Sequence, residues 1–225
     1  MNTRNLKPLA LWKSLLLVLV PAVTAFLELH YLVPQWLAGT GQPFLIGYLV
    51  WWMGWMGLVF IASLAAYKLE GNPLAWRAFA SRYRLRAMTG RDWLWTAGLL
   101  VVQALGFLAL GFVGKWLAAI PALSMPASFP PELIPGGTSE LVPGEFMGMA
   151  LRGQWWIAAL YFLGWVLNIF GEEFWWRGFM LPRQELTHGR WTWLIHGILW
   201  TANHLFQKWS LPVLFPTALF YAYVA

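Results

Sequence analysis

Long apolar runs, broken by short polar ones, fill the chain. A run of about 18 or more apolar residues with few charges is long enough to cross a bilayer as a helix. The first extends from about Leu9 to Val33, after a basic start at Arg4, Lys7 and Lys13. Its opening, LLLVLVPAVTA, also fits a secretory signal ending at Ala25. Apolar residues continue to Val33, however, so a retained helix bent at Pro21 is expected. Glu28 and His30, near its far end, are expected to pair with other helices or to lie at the interface. A second span covers about Phe44–Tyr67 and a third about Trp93–Leu117. Between them Arg77, Arg82, Arg84, Arg86 and Arg91 alternate with Trp76, Phe79, Tyr83 and Leu85, the pattern of a short helix lying on anionic lipid. Residues 120–150 hold Pro121, Pro126, Pro130, Pro131, Pro135 and Pro143 with Glu132, Glu140 and Glu145, an acidic connection outside the membrane with little regular structure. Spans four and five start near Trp155 and Arg190, and Leu211–Ala225 begins a sixth that stops without a polar tail. The pattern predicts an all-α, polytopic integral membrane bundle of about six transmembrane segments. It forms a single domain, residues 1–225, and reads as truncated at its C-terminus.

Composition supports the class. Of the 225 residues 60% are hydrophobic and only 11% charged, with a mean hydropathy of +0.57. Soluble domains carry about 25% charge, so too little polar surface remains here to face water. The absence of cysteine excludes disulfides, thiolate metal sites and cysteine nucleophiles. Many of the 18 tryptophans pair near span ends, as at Trp51–Trp52 and Trp155–Trp156, where indoles favour the headgroup boundary. A net charge of +6 could suggest nucleic acid, but its distribution points to lipid. With the N-terminus inside, twelve Lys and Arg fall on the inner side and only Lys115, Arg152 and Lys208 outside. That asymmetry predicts a cytoplasmic membrane protein, N-terminus inside, with membrane lipids as partners and no nucleic acid.

Against this background Glu172, Glu173, Arg177 and His204 stand out. Left unpaired in hydrocarbon, the first three would cost on the order of 8–10 kcal/mol. Glu173 and Arg177 share a helix face in the favoured order, while Glu172 points about 100° away. One carboxylate is thus paired and its neighbour left free, the arrangement that suits a general base. Glu172 lies sixteen residues before His188, at the expected turn, and His204 sixteen after. Two helical arms would place both about 24 Å from that turn, at similar depth, with Gly178 and Pro182 as possible kinks. The bland alternatives are a structural ion pair for Glu173 and Arg177, and helix–helix hydrogen bonding for Glu172 and His204. His196 reads as a supporting or interfacial residue, and Asn168 and Asn203 as second-rank donors. No HExxH is present and no cofactor is expected, while a divalent metal on Glu172 and His204, which would lack a third ligand, is left open.

The sequence Glu172-Glu173-x-x-x-Arg177, followed by Trp200-x-x-x-His204, resembles motifs one and two of the CPBP family. These are the CAAX protease and bacteriocin-processing (Abi) intramembrane endopeptidases, including type II CAAX prenyl endopeptidases. The RGFMLPR stretch after Glu173-x-x-x fits as well, and the resemblance covers residues 150–225. It implies that Glu172 and His204 activate a water against a peptide bond of a membrane-associated or prenylated substrate. Glu173 and Arg177 would hold the site together. Trp200 replaces the family's usual phenylalanine. The third motif, His-x-x-x-Asn/Asp, is missing and is expected beyond Ala225. A non-proteolytic membrane partner or bacteriocin-immunity-type protein on this scaffold, and a small proton-coupled transporter, are the rival readings.

Overall fold

Prolines set the shape of two of the helical runs in the computed structural model, which describes residues 6–125, 129 and 144–225. The expectations at Arg4, Pro126, Pro130, Pro131, Pro135, Pro143, Glu132 and Glu140 fall outside these residues. Helix α1 (Leu11–Leu27) contains Pro21 and passes through a π turn, Glu28–Leu32, into α2 (Val33–Thr40). The π turn ends just before Pro34. Proline has no N–H for the carbonyl four residues back, here His30, and its ring crowds that carbonyl, so the turn widens instead. The same device recurs later. Helix α6 (Trp155–Glu172) runs into a π segment, Glu173–Met180, and then α7 (Leu181–His188), whose second residue is Pro182. The irregularity in the first span thus lies at Glu28–Leu32, beyond Pro21.

Helix α3 spans Phe44–Leu69 and a short α4 spans Trp76–Arg82. A capping box between Thr89 and Asp92 starts α5, Gly90–Ala118. A 3₁₀ turn at Pro121–Leu123 follows, and then a small antiparallel hairpin, β1 (Glu145–Phe146) with β2 (Met149–Ala150). After α7 the chain reverses at Gly189 (φ 53°), enters α8 (Thr192–Asn203), a 3₁₀ stretch at Leu205–Ser210 and finally α9 (Leu211–Val224).

Helix α3 lies along α6, α9 packs between α5 and α8, and α1 lies against α8. The α3–α6 approach is backbone-close at Gly171, where a Cβ would meet the Met56 carbonyl at 3.1 Å. Helix α5 forms a flank: only Gly106 and Gly114 are buried, while Leu100, Val101, Leu105, Leu108 and Phe112 face outward. In water such a surface would be an aggregation face; in lipid it is solvated.

Among the described residues four stretches are long and apolar enough to cross a membrane: Leu11–Thr40, Phe44–Leu69, Gly90–Ala118 and Trp155–Asn203. The chain is therefore an all-α membrane bundle. The count differs from the expected six or so because Trp155–Asn203 contains both arms of the turn at Gly189, and α9 has only 14 residues.

One end of the bundle is tied by charge. Arg82 grips Glu70 with Nε and Nη2 at 2.6 and 2.8 Å, and Arg183 reaches the same carboxylate at 2.6 Å. Burial alone would raise the Glu70 carboxyl, but the two guanidinium groups hold it below its ordinary value. The basic segment expected on lipid is thus split. Trp76 is exposed, whereas Arg82 and Tyr83 turn into the protein.

Candidate active site

The α6–α8 pair builds the site. Trp200 Nε1 donates to Glu172 Oε2 at 3.3 Å and His196 Nδ1 faces Gln184 Oε1 at 2.6 Å, so the two arms run antiparallel, with Glu172 beside Trp200, one turn before His204. The first arm reaches that level through a π segment, where a continuous α-helix with a kink is the sequence expectation.

Glu172 and His204 line one cavity of about 260 Å³. Asn168, one turn before Glu172, lines it too, as does Glu28 from the first π turn. Trp200 binds both principal residues: its indole N–H reaches Glu172, and its carbonyl lies 2.9 Å from His204 Nδ1. That contact places the ring proton on Nδ1 and leaves Nε2 as the basic nitrogen. The ring is held edge-on against Trp200, with centroids 5.1 Å apart.

Glu173 points elsewhere. Its Oε1 accepts from Arg177 Nη1 and from the Tyr221 hydroxyl, both at 2.8 Å, and it lines a separate cavity of about 390 Å³. The Arg177 guanidinium lies 3.6 Å over the Tyr221 ring and 4.7 Å from Trp200. Two adjacent carboxylates therefore face two different cavities, one tied and one without a cation.

His196 is buried and held by Gln184, whose Nε2 donates to Ser14 Oγ at 3.1 Å, bracing α1, α7 and α8. It lines neither cavity. Asn203 is buried and also lies outside the cavity lining; its Oδ1 has no partner among the described residues. Glu28, Glu172 and His204 are the metal-capable side chains on the small cavity, but among the described residues no three such groups are close enough to hold an ion together.

Two participants are not apparent from sequence reasoning. Tyr221 lies 48 residues from Glu173 in an apolar run, with only its hydroxyl as a signal. Glu28 gives a stronger signal, a carboxylate inside a span, yet nothing local ties it to Glu172.

Residues 154–225 match the family described as type II CAAX prenyl endopeptidase Rce1-like, which supports the CAAX protease family. No curated protein and no solved structure matches the chain.

Proposed function

From the match of residues 154–225 to the type II CAAX prenyl endopeptidase Rce1-like family, we propose that the chain is an intramembrane endopeptidase. It cleaves a peptide bond in a membrane-associated or lipidated substrate. The observation that carries this reading is the shared cavity of Glu172 and His204 with Trp200 bonded to both.

A water held between the Glu172 carboxylate and His204 Nε2 is the nucleophile. Glu172 takes one of its protons as the oxygen bonds to the carbonyl carbon and the carbonyl electrons move to oxygen. Collapse of the tetrahedral species breaks the C–N bond, and the proton on Glu172 passes to the leaving nitrogen. Asn168 is the donor assigned to the developing oxyanion, a contribution worth about 3–4 kcal/mol where measured elsewhere. Glu173 and Arg177, clamped by Tyr221, fix the turn that carries Glu172 and do not touch the substrate.

The test is cleavage of a membrane-tethered peptide by protein reconstituted in vesicles. Glu172→Gln and His204→Ala each abolish turnover while the protein still assembles in the membrane. A phenotype that survives Glu172→Gln would favour the non-proteolytic partner instead.

A further inference from the structure

Glu28 is a carboxylate inside a membrane span with no hydrogen bond or ion pair to any described residue. Such groups cost about 2.5–3.5 kcal/mol at a helix centre and mark function when they face a cavity. The π turn that carries Glu28 is docked to the site: His30 Nε2 bonds the Phe206 carbonyl at 3.0 Å, and its ring stacks on Phe26 with centroids 4.1 Å apart. Phe206 follows His204 by two residues and lines the same cavity.

Among the described residues that cavity's lining holds two carboxylates, Glu28 and Glu172, and no lysine or arginine. Lys208, from the adjoining stretch, spends its ammonium on the Ala122 carbonyl at 2.8 Å. Much of the rest of the wall is aromatic, with Tyr48, Trp51, Trp52 and Trp55. Trp51 keeps a buried indole N–H with no acceptor among the described residues. Acid beside aromatic faces, with no resident cation, is the chemistry that receives an ammonium or guanidinium group.

Building on the endopeptidase reading, we propose that Glu28 is a specificity residue selecting substrates with a lysine or arginine side chain near the scissile bond. The cation sits between Glu28 and the aromatic wall.

A library of membrane-tethered peptides with lysine or norleucine at each position in turn tests this. At one position the reconstituted protein prefers lysine by about tenfold or more in kcat/KM, and Glu28→Gln collapses that ratio toward one. Equal rates in the wild type would overturn the proposal. So would a Glu28→Gln variant that slows both peptides in parallel with the ratio kept, which is the mark of a proton relay or a structural role. The same peptides titrated onto the Glu172→Gln protein read the preference as a ratio of Kd values. Preferential binding without cleavage in the wild type contradicts the endopeptidase reading and leaves the cation site standing; equal Kd values overturn the cation site.

Discussion

A phenylalanine at position 200 would fill much of the space of the tryptophan but could not donate to Glu172. The indole bond is long at 3.3 Å, so its loss should be modest even though the acceptor is charged. Trp200→Phe is expected to lower kcat about three- to tenfold with KM nearly unchanged, read by steady-state kinetics in vesicles. Arg177→Met leaves Glu173 without its cation. The expected loss is about 3 kcal/mol, the low end for buried pairs, because 34% of the Glu173 side chain remains exposed; a fall in Tm checks it. At this scale the Glu173–Arg177 pair is legible from spacing alone, since four residues bring two side chains together on any helical turn. The links through Tyr221 and Trp200 are not legible, because they join residues 48 and 28 apart through tertiary packing. Glu28 is legible as an anomaly but not as a neighbour of His204.

The π segment is the element on which the site turns. Pro182 leaves the Gly178 carbonyl without an α-helical donor, and Arg82 Nη1 donates to that carbonyl instead. Tyr83 packs directly on Gly178, where a Cβ would enter its ring. Pro182→Ala restores an N–H that competes for that carbonyl and favours an α turn. It is expected to lower kcat about tenfold or more, as a misplaced catalytic group does, with Tm unchanged or higher. An unchanged kcat would separate the π geometry from activity. Glu70 holds the other side of this clamp. Its folded pKa is depressed, so its stabilisation is fully present above the ordinary carboxylate value of about 4.3 and fades as pH falls through the lower folded value. Acid unfolding should therefore set in at higher pH in the Glu70→Gln variant, which starts without the clamp, and its stability should vary less with pH below about 4. Helix boundaries in the sequence follow the start of the apolar runs closely, as at Phe44 and Trp155. The π turns do not, because a shift of one hydrogen-bond register leaves the apolar pattern almost intact. Gly178 and Pro182 are the trace they leave.

For the molecule as a whole, apolar run length establishes a membrane bundle, and the outward face of α5 bears it out. The number of crossings is less legible, since a hairpin such as Trp155–Asn203 and a 14-residue closing helix are not resolved by hydropathy. Orientation rests on the Lys and Arg count, twelve against three. The ion pairs of Arg82, Arg84 and Arg183 lie together with Glu70 and Glu185 at one end. Because the chain has no cysteine, single cysteines can be placed without background. An impermeant thiol reagent should label Lys115→Cys in intact cells and reach Arg84→Cys only after permeabilisation; the reverse pattern would invert the topology and turn the site to the other face.

The central claim is that Glu172 and His204 act on one water in one cavity. The most direct measurement is a double-mutant cycle on kcat for peptide cleavage by reconstituted protein, with Glu172→Gln, His204→Ala and the pair combined. Groups that act as a unit are strongly non-additive. Each single variant should lose about 10³-fold or more, and the double variant should be scarcely worse than either. Turnover retained in a single variant, or losses that multiply in the double, would mean that the two residues do not serve the same step.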